Sequence, residues 1–376
     1  MAIGLSHGGT TVYRSGASSE EVHVATMDGL VTLARRGPGH WDTVSHSLRG
    51  LHIQAIIFVG DTIFAGAYRD SVYASEDRGK TWERRDNGIG IRSVYSLASQ
   101  WLDGHHRIYA GTEPPHLYFS DDLGDTWTQL PGMREVESMP TWRFASDPFT
   151  GHVKHINFDP VDPNHLYVSI EVGGLLESLD GGATWSQIPT PSPDVHRTVI
   201  SPADPSSVYS TGGAGLLRLQ KGSADWVVLD EKRSSLGSYP DMLVFVPSRS
   251  ATMFLASCQF SPRDWYVDET RMAGGRIAKS EDAGESWSIL GGGLPESFHG
   301  AVEAMCLEES ASGGVVLLAG TIDGEVWCSE DSGDSWTKIA DLAPIAKSVH
   351  WEMMTGTRRT ALRFTDGVVL PLIKGA

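Results

Sequence analysis

Apolar residues along this chain come in short runs, each closed by Gly, Pro, Asp or Asn. The stretch HVKHINFDPVDPNHLYVSIEVGGLLESLDGGATWSQI, residues 152–188, shows the unit. HINF predicts a strand, DPVDPN a turn and HLYVSI a second strand. A Gly-Gly turn, a third strand (GLLESL), a polar loop and a fourth strand (TWSQI) follow. Strand-length runs bounded by turn residues are the all-β pattern. No segment carries a helical period of apolar positions.

The polar loop recurs. SEDRGKTW (Ser75–Trp82), SDDLGDTW (Ser120–Trp127), SLDGGATW (Ser178–Trp185), SEDAGESW (Ser280–Trp287) and SEDSGDSW (Ser329–Trp336) are near-identical. ARRGPGHW and LQKGSADW are degenerate copies. Seven units result, with tryptophans at 41, 82, 127, 185, 226, 287 and 336. Radial repetition of four-stranded units makes a β-propeller, which leaves only short, protected strand edges. Seven blades are expected, within one domain spanning residues 1–376. TTVYRSG and TALRFTDGVVLPLI are left over, and eight blades is the alternative count. SVHWEMM (Ser348–Met354) reads as a first strand that would complete the N-terminal blade.

The loop S-x-D-x-G-x-T-W resembles the Asp box of BNR-repeat, sialidase-like propellers. Its Asp and Ser/Thr groups are suited to fixing a turn through backbone N–H groups, and its Gly to a positive φ. The Trp is expected to pack between blades. In the families this resembles, the box is structural and lies on the face away from the active site. The resemblance therefore points to the opposite face, where first strands begin and second strands end. Sialidases also carry an Arg-Ile-Pro stretch, three substrate-binding arginines and a Tyr–Glu pair. This chain has no Arg-Ile-Pro, and true sialidase activity is not expected.

Aligning the first strands on their apolar cores sets His52, Ile91, His152, Asp194, Tyr239, His299 and Ser348 at one level. Gln54, Ser93, Lys154, His196, Asp241, Ala301 and His350 fall at the next. Glu303 lies two residues further along its strand. Second strands end at the same mouth with Tyr68, Arg69, Glu113, Glu171 and Gln259. Five of the chain's 14 histidines thus face carboxylates. Imidazole with carboxylate is a donor set for Zn, Mn or Fe, and equally for acid–base catalysis. As a divalent-metal site the expected ligands are His52, His152, His196, His299 and His350. As an acid–base site the expected catalytic groups are Glu113, Glu171, His196 and Glu303. Two insertions, at about 132–151 and 259–275, should overhang the same face. They bring Trp142, Arg143, Phe144, Arg263, Trp265 and Tyr266. Together with Tyr68, Arg69, Lys154, Asp241 and Gln259, the residues Trp142, Arg143 and Trp265 would hold substrate.

The formal net charge of -17 disfavours nucleic acid and anionic membranes as partners. Three separated cysteines, with no CxxC, fit a reducing compartment. The start of the chain lacks a basic-then-apolar leader, so a cytoplasmic location is expected. Two functions fit these features. One is a hydrolase- or lyase-like enzyme acting on a small organic, possibly sugar-like molecule. The other is a non-catalytic scaffold or assembly factor that binds a polypeptide.

Overall fold

Inner strands such as HIQAIIFV are apolar almost without interruption, because both of their faces are covered; His52–Val59 is buried along nearly its whole length. Outer strands such as Glu83–Arg84 are short and exposed. This gradient runs from axis to rim in a seven-bladed β-propeller. The computed structural model describes residues 2–143, 150–202, 204–223, 225–229, 236–262 and 272–345. Numbered in chain order, blade 2 pairs His52–Val59, Thr62–Tyr68, Ser71–Ser75 and Glu83–Arg84. Blades 3 to 7 repeat this antiparallel order from inner strands Val94–Leu102, His152–Phe158, Val195–Ile200, Tyr239–Val246 and Val302–Ser310. Two short 3-10 turns, Pro131–Glu135 and Met139–Thr141, lie between the strands of blades 3 and 4.

Apolar clusters fill the wedges between blades. Ala55, Ile57 and Phe64 of blade 2 meet Leu97, Ile108 and Trp127 of blade 3. Trp336 packs likewise with blade 6 residues Val244 and Phe254. The repeated loop joins third and fourth strands. In blade 2, Ser75 Oγ donates to Asp77 Oδ1 (2.9 Å) and accepts from Gly79 N (2.8 Å). Asp77 also accepts from Thr81 N (2.8 Å) and Thr81 Oγ1 (2.6 Å), and these bonds hold its carboxyl down at about 2. Trp82 Nε1 returns to Gly79 O (3.1 Å). The other four copies reproduce the set. Cys258, Cys306 and Cys328 are buried free thiols.

Each inner strand of blades 2 to 7 carries a β-bulge at the same level. The pairing jumps between Ile53 and Ala55, Val94 and Ser96, and Val153 and His155. It jumps again between Val195 and Arg197, Pro240 and Leu243, and Val302 and Ala304. The skipped residues include Gln54, Tyr95, Lys154, His196, Asp241 and Glu303. A bulge inserts one unpaired residue and re-aims its side chain.

Blade 1 departs from the expectation. Its second to fourth strands are Glu21–Thr26, Gly29–Gly37 and His40–Ser47. The strand against Glu21–Thr26 is Ala2–Leu5, and it runs parallel. The segment SVHWEMM, expected there, lies outside the described residues, as does TALRFTDGVVLPLI. From Leu5 the chain passes along the inner strands, with Gly8 N donating to Gln54 O and Leu97 N to Gly8 O, each 2.9 Å. It ends as Val12–Ser15, a fifth strand parallel to the inner strand of blade 7. The leftover TTVYRSG is this strand, not an eighth blade. Gly8 and Gly9 are required here: an added Cβ would stand 2.1 Å from Tyr95 O and 2.0 Å from Ile56 O.

Candidate functional site

The bulges fix which side chains share a level. The skipped positions form one ring, and the residues two before them form a second: His52, Ser93, His152, Asp194, Tyr239 and Ala301. The expected alignment holds in blades 2, 4, 5 and 6. In blades 3 and 7 it was two residues early. Ser93 replaces Ile91, Ala301 replaces His299, and Tyr95 and Glu303 take the bulge positions.

The side chains of these rings form one network. His152 Nε2 lies 2.8 Å from Glu171 Oε2, and its Nδ1 lies 3.4 Å from Glu113 Oε2. Its ring stacks on Tyr95 with centroids 3.6 Å apart. Tyr68 donates to Glu113 Oε1 (2.9 Å). Lys154 Nζ bridges Glu171 Oε2 (3.0 Å) and Asp241 Oδ2 (3.1 Å). His196 donates from Nδ1 to Pro240 O (3.0 Å), and its Nε2 meets Asp194 Oδ1 at 3.1 Å. Tyr239 donates to Asp194 Oδ2 (3.1 Å). His7, on the N-terminal segment, donates from Nδ1 to Glu303 O (2.8 Å), while its own carbonyl accepts from Arg197 Nη2 (2.7 Å).

All of these side chains are buried except Asp194, whose side chain is 24% exposed. Burial pushes charged forms toward neutrality unless opposite charges answer it. For His196, burial and Lys154 act downward, but Asp194 and Asp241 outweigh them and hold the imidazolium up at about 9. For Glu303, burial and Asp241 push the carboxyl up to about 8. Asp241 is held at about 2 because Lys154 and His196 overcome its burial. Burial lowers His7 to about 3, so its ring is neutral. Burial also lowers Arg197, to about 10. Glu171 Oε1 and Asp241 Oδ1 are buried without a hydrogen-bond partner among the described residues.

The structure thus brings together Tyr68, Glu113, His152, Lys154, Glu171, His196, Asp241 and Glu303. His52 is buried beside them, its ring 5.6 Å from that of Tyr68. Arg69 sits over the Tyr68 ring at 5.4 Å. His299 stands apart, 53% exposed, with Nδ1 on Asp323 Oδ2 at 2.7 Å. Trp142 packs in the blade 4 core beside Met133 and Val153, Arg143 is exposed and hydrogen-bonds Pro140 O (3.0 Å), and Gln259 is half-buried against Arg276. His350, Phe144, Arg263, Trp265 and Tyr266 lie outside the described residues. Sequence reasoning missed His7, Tyr95 and Arg197. The Gly-Gly following His7 was the signal for the first, since it marks a backbone passing close to another.

Two clusters could hold a metal ion among the described residues. They are Glu171, Asp194 and His196, and His7, Asp241 and Glu303; within each, the donor atoms lie within 4.8 Å of one another. The five expected histidines do not form such a cluster among those described.

No protein-family model matches the chain, and no curated protein matches it in sequence. Solved structures do match its fold. A GH74 xyloglucanase from Xanthomonas campestris superposes with a TM-score of 0.62 at 16% identity, over 89% of this chain and 55% of its own. The chain therefore spans about half the length of that enzyme. YCF48 from Cyanidioschyzon merolae matches with a TM-score of 0.54 at 15% identity, over 82% of this chain and 92% of its own. YCF48 bound to D1 peptide gives 0.53 at 15%, over 88% and 87%. At such identities the likeness is one of fold.

Proposed function

We propose that the two rings form the active site of a hydrolase- or lyase-like enzyme working by acid–base chemistry on a small polar, sugar-like molecule. The observation that carries this is the convergence of carboxylates and imidazoles from consecutive blades, with their proton affinities pushed apart. A buried set of this kind is costly to fold and is characteristic of functional sites. Substrate would approach over Asp194, the exposed member. His196, cationic at neutral pH, would donate a proton. Asp194, hydrogen-bonded by His196 and Tyr239, would act as the base. Glu113, His152 and Glu171 would orient polar groups of the substrate beside them. The fold shared with a xyloglucanase is compatible with this reading. The recurrent loops, read as Asp boxes, would be turn staples without a catalytic part.

The test is turnover of a panel of chromogenic glycosides, plant polysaccharides and uronic-acid oligomers by wild type, Asp194→Asn and His196→Gln. A wild-type activity falling by about 10²–10⁴ in both variants supports the reading. Activity unchanged in both would sink it.

A second reading has its own observation. The inner strands accept an extended chain, since residues 2–15 already pair along them. This favours a scaffold that holds a polypeptide, the alternative for which the YCF48 fold is a parallel. Inactivity across the panel, with saturable binding of extended peptides, would decide for it.

A further inference from the structure

The geometry points to a divalent-metal site on the propeller axis, formed by His7, Asp241 and Glu303 and completed by the threaded N-terminal segment. These three groups come from distant parts of the chain, yet their donor atoms lie within 4.8 Å of one another and all three side chains are buried. Donors bound to one Zn²⁺ at about 2.1 Å sit about 3–3.5 Å apart, so side-chain rotations would have to draw the set together; His7 now approaches the Glu303 carboxylate through Nδ1, 4.0 Å from Oε2.

A second observation is independent of that clustering. Asp241 Oδ2 is engaged by Lys154 (3.1 Å), while Oδ1 is buried with no hydrogen-bond partner among the described residues. A carboxylate held on one oxygen and open on the other is prepared for a cation. His7 is held in a similar way. Its Nδ1 is 2.8 Å from a backbone carbonyl, which can only accept, so Nδ1 carries the proton. A proton on Nδ1 leaves Nε2 as the nitrogen that can offer a lone pair. Metal-ligating histidines characteristically donate their other N–H to a carbonyl or carboxylate in this manner. Lys154 and Arg197 oppose a cation here, and Asp241, Glu303 and nearby Glu171 offset them. One nitrogen and two carboxylate oxygens suit Zn²⁺, Mn²⁺ or Fe²⁺. The second cluster is a poorer host because both ring nitrogens of His196 are already engaged, Nδ1 by Pro240 O and Nε2 by Asp194.

The inference does not depend on the acid–base reading. The full chain, stripped with a chelator and dialysed, would be titrated with Zn²⁺, Mn²⁺ and Co²⁺. Calorimetry would read stoichiometry, and the visible spectrum would read Co²⁺ coordination. One equivalent per chain is expected. Glu303→Gln, Asp241→Asn and His7→Gln should each weaken binding at least about tenfold. Asp323→Asn, which disrupts the exposed His299 pair instead, should leave it unchanged. Circular dichroism of each variant separates lost ligands from lost folding. The inference fails if wild type binds none of the three ions saturably. It also fails if folded His7→Gln binds as tightly as wild type, or if Asp323→Asn removes the site. Metal bound without turnover would defeat only the enzymatic reading, and turnover that survives chelation would leave that reading intact without a metal.

Discussion

Lys154 is 4% exposed and stays charged only because Glu171 and Asp241 flank it. Removing one member of a buried ion network strands the rest. Lys154→Met should therefore destabilise the protein by about 3–5 kcal/mol, read as a lower urea midpoint. A change below about 1 kcal/mol would mean that water already reaches the carboxylates. His196 makes a pH prediction. Its folded value is about 9, above the usual imidazole value of 6.5. A raised value means that the folded state binds the proton more tightly, so the stabilisation is complete below about 6.5 and is lost as pH rises through 9. With a chelator present, thermal midpoints of wild type should fall across pH 6.5–9.5. His196→Gln should show a shallower fall, and an equal slope would contradict the assignment. Most of these residues were legible in the sequence as polar groups interrupting apolar inner strands. His7 was only partly so: the Gly-Gly after it marks a close backbone passage, but nothing beside it identifies a partner as distant as Glu303.

At the scale of the element, the bulge explains both what the sequence revealed and where the alignment slipped. A one-residue insertion inverts the side-chain alternation beyond it, so His155 faces away from Val153 instead of sharing its face. Alignment on the apolar core succeeded where the residues before the bulge had comparable lengths. It failed by two in blades 3 and 7, where Ile91 and His299 precede the paired strand. The recurrent loops were read correctly as turns because their chemistry is local. Their fourth residue is left-handed in every copy, including Leu123 at φ 56°. A side chain there costs roughly 1–2 kcal/mol against an unstrained residue. Leu123 is also an exposed apolar group. Leu123→Gly should raise stability by up to about 1 kcal/mol, after the entropy glycine loses on folding. Guanidinium unfolding would measure it, and a decrease would show that the loop is not strained.

For the whole molecule, the seven repeats made the propeller readable, but its closure was not. AIGL is too short an apolar run to announce a strand, and it pairs in parallel, against the antiparallel rule of the other inner positions. The N-terminal segment bridges blades 1 and 7, and Ser19 reinforces it through Glu308, with N and Oγ at 2.8 and 2.6 Å from the carboxylate. Gly9→Ala would drive a Cβ into Ile56 O. It should cost about 1–3 kcal/mol and release hydrogen-exchange protection over residues 2–15 before the blades themselves open. Uniform loss of protection would instead make the segment an integral part of one cooperative unit. The same threading sets an order on biosynthesis. The ribosome delivers Ala2–Ser15 ahead of the blades, but the blade 7 strand that receives Val12–Ser15 is made after the other six. Val12–Ser15 must therefore wait without its blade 7 partner while six blades are made, and the axis can be filled only once the seventh follows. Such distant pairing is slow to form and leaves an edge exposed meanwhile. A growing copy is thus open, until blade 7 is made, to capture of that edge by a neighbouring chain on the same messenger RNA.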